Sequence, residues 1–137
     1  MVISQATECA IRALLYMAAY EPGQVVSKRD ICQAQEITPG FLIKIMQPLI
    51  AGGLVKSYRG VAGGFALAKP IGEINLWDII VAEEGPILLN KCLITPGYCK
   101  RDATCPVHLV WCKSREVLEK TLRQTKLDDL LVDRVVV

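Results

Sequence analysis

At 137 residues, with 52% hydrophobic and 22% charged side chains, the chain has room for one small folded domain with an appendage, and too little for two full domains. A net charge of only +2 excludes a uniformly basic surface, so binding to nucleic acid would have to rest on where the charge lies. No apolar run approaches the ~20 residues of a membrane span, and Glu8 and Arg12 interrupt the N-terminal apolar stretch as no secretory signal does; the expected setting is cytoplasmic, with no membrane partner and with reduced, unpaired cysteines.

The first predicted element is a helix over residues 5–20, QATECAIRALLYMAAY, dense in the strong helix formers Ala, Leu and Met. Ile11, Leu14, Leu15 and Ala18 recur at helical spacing and mark its expected buried face, and Pro22-Gly23 ends it. A second helix starts at Ser27, which forms an S-x-x-D box with Asp30, while Val26 is placed to pack on Ile31. Ile31 and Ala34 are expected to face inward. Cys9 and Cys32 lie in these two helical patterns and read as small buried hydrophobes.

Thr38-Pro39 is a further start signal, a cap followed by proline at the first helical position, where its missing N–H costs nothing. Phe41, Leu42, Ile45, Met46 and Leu49 continue at helical spacing until Gly52-Gly53. Pro48 conflicts with that pattern. A proline inside a helix removes a hydrogen bond at ~3 kcal/mol or more, so a kink or break is expected between Lys44 and Pro48.

Two short helices joined by a tight turn form a helix-turn-helix. Residues 54–58 then read as a strand, Arg59 to Gly64 as a glycine-rich turn, and residues 65–67 as the returning strand. Helix, helix and hairpin in this order make a winged helix-turn-helix. Between Ser27 and Lys69 stand Lys28, Arg29, Lys44, Lys56, Arg59 and Lys69 against Asp30 and Glu36, a local net charge of +4 in a chain whose total is +2. Double-stranded promoter DNA is therefore the expected partner. The expected contact set is Lys28, Thr38, Pro39, Gly40, Lys44, Lys56, Tyr58, Arg59, Gly60 and Gly63. In it the lysines reach phosphates, Arg59 reads a groove, and glycine at the hairpin tip permits close backbone approach.

Asn75 opens a helix with an N-x-x-D start, and Gly85-Pro86 closes it. The next segment, CLITPGYCKRDATCPVH from Cys92 to His108, holds three cysteines spaced C-x6-C-x5-C and the chain's single histidine. Rich in Pro, Gly and charge, it has little means of folding by burial, and its thiols and imidazole are soft metal ligands. A tight cysteine pair of the zinc-module kind is absent, as is bacterial-ferredoxin spacing. The spacing leaves three readings: an iron–sulfur cluster, a zinc ion, or a free-thiol redox switch.

Val107, Val110, Trp111, Ser114, Val117, Leu118 and Leu122 then repeat at steps of three and four, predicting a long amphipathic helix. Its apolar stripe either packs back on its own domain or, the reading preferred here, joins a homodimer that reads paired half-sites. Thr125 and Asp128 are expected to cap a last short helix covering Leu127, Leu130 and Leu131. No Ser-His-Asp or Cys-His nucleophile pattern, phosphate loop or carboxylate pair is present, so an enzyme is not expected.

RGVAGGFALAKP at 59–70, the preceding GGLVKSY, the opening ISQATECAIRALLYMA and the cysteines after the Trp77 helix together resemble the IscR-like family of winged-helix transcription regulators. The resemblance spans essentially the whole chain. It implies an iron–sulfur cluster, 2Fe–2S favoured with 4Fe–4S as the alternative, on Cys92, Cys99, Cys105 and His108. Branches of that family take the fourth ligand from an acid near the start of the first helix of the other subunit, where this chain carries Glu8. Cys112, one helical turn beyond His108, is a conceivable substitute. The first cysteine gap is six residues where the family commonly has five, and Phe41, Ile43 and Lys44 stand where relatives carry polar base-reading residues.

The expected fold is mainly α with a small β-hairpin. It divides into a winged helix-turn-helix at 1–85, a cysteine-rich cluster loop at 86–106, and a dimerisation helix with its C-terminal segment at 107–137. The expected function is a cluster-dependent repressor sensing iron–sulfur or redox status; the alternative is a zinc-stabilised DNA-binding protein without a sensing role.

Overall fold

A computed structural model describes residues 3–132, so the outer limits of the first and last expected segments lie outside the described residues. Six helices and one hairpin follow in the order α1 (Gln5–Ala18), α2 (Lys28–Gln35), α3 (Pro39–Ala51), β1 (Val55–Tyr58), β2 (Gly64–Leu67), α4 (Leu76–Glu84), α5 (Pro106–Gln124) and α6 (Leu127–Val132). The fold is mainly helical, as the sequence predicts.

Local signals explain most boundaries. Ser4, Ser27, Thr38 and Asn75 each cap a helix, their side chains accepting backbone N–H bonds from Thr7, Asp30, Phe41 and Asp78. Asn75 also donates its amide to Asp78 Oδ2 at 3.1 Å, completing a reciprocal box. Glu36 ends α2 in the left-handed region, φ 53°, and so turns the chain toward α3.

Three expectations about α1, α2 and α3 are corrected. Helix α3 runs unbroken through Pro48 to Ala51. The acceptor that Pro48 leaves without a donor is the carbonyl of Lys44, an exposed residue where water can replace the lost bond. Ala34 is exposed, because α2 is a short helix anchored by Ile31 alone. The face of α1 is rotated from the predicted stripe: Ala10, Ala13, Leu14 and Met17 are fully covered, whereas Ile11 and Leu15 are only half-buried. Helix α1 is the hub of the fold, touching α2, α3, α4, α6 and β2, and its alanines let those neighbours approach closely.

The core gathers Leu14 and Met17 of α1, Ile31 of α2, Leu42, Ile45, Met46 and Leu49 of α3, Phe65 of β2 and Leu127 of α6. Strands β1 and β2 pair antiparallel, Val55 opposite Leu67 and Tyr58 opposite Gly64. Val26 docks on the hairpin through two backbone bonds with Phe65, of 2.8 and 3.0 Å, which ties the helix-turn-helix to the wing. Gly64 is required there, since a Cβ would collide with the carbonyl of Val26.

Helix α5 lies on α4. Leu118 and Leu122 pack on Trp77, Ile80 and Ile87, and the guanidinium groups of Arg115 and Arg123 sit 5.7 and 5.1 Å from the centroid of the Trp77 ring. No residue of α5 is fully buried. Helix α6 then returns to α1, and Leu127 donates its N–H to the carbonyl of Ile74 at 3.0 Å. Its start differs from expectation: the Asp129 carboxylate accepts the N–H of Lys126, while the Thr125 hydroxyl donates back to Thr121 in α5.

Candidate metal centre and nucleic-acid interface

The segment between α4 and α5 is built from tight turns, including a short 3-10 turn at Lys91–Leu93. Backbone bonds link Asp102 to Cys99, Cys105 to Arg101 and His108 to Cys105, the last across the start of α5 where Pro106 occupies the first turn. Cys105 is therefore the cap residue of α5, and His108 stands one turn inside the helix. All six cysteines are free thiols.

Of the four expected metal ligands, the structure brings Cys92 and His108 together and adds a residue that sequence reasoning missed. Cys92 Sγ, an Asp102 carboxylate oxygen and a ring nitrogen of His108 lie within 4.8 Å of one another; Cys99 and Cys105 do not belong to this group. His108 Nδ1 is buried without a hydrogen-bond partner, and Nε2 lies 3.6 Å from Cys112 Sγ. A buried ring nitrogen without a partner is costly, and imidazole is the commonest metal ligand, so the position suits a metal ion. Burial pushes the Cys92 thiol above its ordinary range, and the Asp102 charge and the thiols of Cys99 and Cys112 push the same way. Cys99 and Cys105 are half-buried in the same loop. Three thiols and an imidazole on one segment, with an unpartnered nitrogen among them, fit a thiolate-bound metal group.

Glu8 is exposed in the first turn of α1 and is not among these converging groups. Cys9 is buried and Cys32 half-buried against the same core, as expected of small hydrophobes. The signal that could have found Asp102 was its place three residues after Cys99 and three before Cys105, one turn from each.

The basic half presents a different surface. Thr38, Pro39, Gly40 and Lys44 are all exposed on α3, with Ile43 41% exposed beside them. Phe41, by contrast, is half-buried against the core and is not free to read bases. On the wing, Lys56, Tyr58, Arg59 and Gly60 are exposed. Gly60 adopts φ 99° with open space around it, whereas Gly63 is needed inside the tip, where a Cβ would strike the Tyr58 carbonyl. Lys28 reaches over the Phe65 ring at 5.7 Å, which puts its charge at the base of the wing.

A family model described as Rrf2, iron-dependent transcriptional regulator, matches residues 3–133. A candidate HTH-type transcriptional regulator of Aquifex aeolicus is 32% identical over 133 residues, 96% of this chain and 92% of that protein. Another, from Haemophilus influenzae, is 34% identical over 125 residues, 91% of this chain and 83% of that protein. Among solved structures, CymR, the global cysteine regulator of Bacillus subtilis, superposes with TM-score 0.73 at 28% identity, covering 96% of this chain and 97% of that one. IscR of T. potens superposes with TM-score 0.70 at 26% identity, covering 97% and 88%.

Proposed function

This chain belongs to the Rrf2 family of transcriptional regulators, and from that premise we propose that it is a cytoplasmic, homodimeric repressor whose DNA binding depends on an iron–sulfur cluster. Like its relatives it is a DNA-binding transcription regulator and not an enzyme. The observation that carries the finer reading is the convergence of Cys92 with His108, whose Nδ1 is buried without a partner.

Cys92, Cys99, Cys105 and His108 would hold the cluster, 2Fe–2S in preference to 4Fe–4S, with Glu8 of a second copy as the alternative fourth ligand. Bound there, such a cluster supplies one-electron redox chemistry and a response to iron supply or oxidants. The chain's own part is mechanical. Cys105 stands at the cap position of α5 and Cys92 lies within the turn that touches that helix, so drawing these thiols together fixes the loop against the N-terminus of α5.

Helix α5 leaves Val110, Trp111 and Val117 exposed by 55%, 40% and 58%, an apolar stripe left open to solvent among the described residues. Pairing two copies through this stripe would set the separation of the two α3 helices, and paired half-sites demand one separation. A change in the loop thereby becomes a change in operator affinity. At the DNA, the start of α3 at Thr38, Pro39 and Gly40 faces the major groove, and Arg59 at the wing reaches the minor groove or a guanine. Lys28, Lys44 and Lys56 hold phosphates.

Anaerobic purification followed by analysis of iron, sulfide and zinc tests this reading. Iron and sulfide are expected in the native protein, lost in Cys92→Ala and His108→Ala and kept in Glu8→Ala. Cluster loss in Glu8→Ala alone moves the fourth ligand to Glu8. Stoichiometric zinc without sulfide, in a protein that takes up no cluster on reconstitution after the zinc is chelated away, establishes instead the zinc-stabilised regulator.

A further inference from the structure

We infer that the cluster-free loop is a binding site for one divalent transition-metal ion, held by Cys92, Asp102 and His108 without Cys99 or Cys105. The three donor atoms already lie within 4.8 Å of one another. In a tetrahedral site with metal–sulfur and metal–nitrogen bonds of ordinary length the donors stand about 3.4–3.6 Å apart, so closure needs a shift on the order of 1 Å in a turn-rich loop. A thiolate, a carboxylate and an imidazole form the mixed set that zinc, cobalt(II) and iron(II) accept.

His108 is preset for this role, since its buried Nδ1 has no hydrogen-bond partner and its Nε2 faces only the Cys112 thiol at 3.6 Å. Asp102 carries no salt bridge to any cation among the described residues, although Arg101 and Lys100 adjoin it in sequence. Three protein ligands leave a fourth position for water or for Cys112.

Binding displaces the thiol proton of Cys92 to solvent and changes no oxidation state. Because Cys92 and His108 are also the proposed cluster ligands, the ion and the cluster exclude each other. That second statement rests on the cluster reading; the ion site does not. Metal supply then acts on the regulator twice, once through the cluster and once through the ion that keeps the loop from receiving it.

Cobalt(II) titration of the full-length apo-protein, prepared by anaerobic chelation, tests the site. One equivalent is expected to bind with a thiolate-to-cobalt band in the near ultraviolet and visible ligand-field bands of a tetrahedral ion. Asp102→Asn should weaken binding by about 10–100-fold at unchanged circular dichroism, with partial recovery in Asp102→Glu. Cys99→Ser and Cys105→Ser should bind as the native chain does. Failure of the native protein to bind overturns the inference, as does binding that ignores Asp102→Asn but falls with Cys99→Ser and Cys105→Ser.

The cluster reading is judged separately, by iron and sulfide after reconstitution. A protein that takes cobalt as described but never a cluster keeps the ion site and loses only the competition. Zinc preloading should block reconstitution until a chelator is added.

Discussion

Glu83 and Glu84 end the same helix yet titrate in opposite directions. Glu84 accepts the backbone N–H of Ser4 at 2.6 Å and the hydroxyl of Thr7 at 2.9 Å, bonds that favour its charged form and lower its pKa. Its contribution is present at neutral pH and is lost as the pH falls through the folded-state value. Glu83 has a buried Oε1 without a partner, and burial, with the charge of Glu84 added, raises its pKa from 4.5 to about 7. The folded state therefore holds this proton more tightly than the unfolded chain does, and stability declines as pH rises from 4.5 to about 7. Glu83→Gln should raise Tm at pH 8 by roughly 3–6 °C, about 1–2 kcal/mol for a chain of this length once partial solvent access is discounted. At pH 4 it should leave Tm unchanged. Thermal melts at the two pH values check this.

Among the elements, the wing is where local sequence and function meet most directly. Gly64 admits the backbone of Val26, Gly63 admits the carbonyl of Tyr58, and only Gly60 is open on every side. Glycine at the tip thus serves the hairpin's own closure at two positions and outward approach at one. Arg59 is the charged side chain exposed at this tip, beside the fully exposed Val61. Arg59→Ala should weaken binding to duplex DNA by about tenfold, within the 1–3 kcal/mol of a good groove contact, with an unchanged helical spectrum. A loss below twofold, read by fluorescence anisotropy at fixed salt, would remove the wing tip from the interface. Helix α3 teaches the opposite lesson about local rules. Pro48 predicts a break by propensity alone, yet Ile45, Met46 and Leu49 are buried on both sides of it and hold the helix continuous.

For the whole molecule the decisive feature is the two-sidedness of α5. Its inner face is clamped to α4 by Trp77 lying near Arg115 and Arg123, with Arg123 also 3.8 Å from Asp78. Beyond that contact Val107, Val110, Trp111 and Val117 remain exposed. Packing back on its own domain and pairing with a second copy are therefore not rival fates of this helix, because Leu118 and Leu122 serve the first and leave the exposed apolar residues for the second. Val110→Glu should convert a dimer to a monomer in sedimentation velocity without loss of helix, since a charge at the centre of an apolar interface is left unpaired. A dimer that survives the substitution would place the interface elsewhere.

The sequence by itself determined the helix starts at Ser27, Thr38 and Asn75, the glycine-rich wing and the thiol and imidazole donors of the loop. Caps, turns and donor chemistry are short-range, each settled within a few residues. Only the tertiary structure decided which face of α1 is buried, that α3 passes through Pro48, that α6 returns Leu127 to the core, and that Asp102 meets Cys92 and His108. The packing outcomes depend on surfaces brought together from distant parts of the chain, whereas Asp102 shares one segment with Cys92 and His108 and meets them only through the path of the intervening turns.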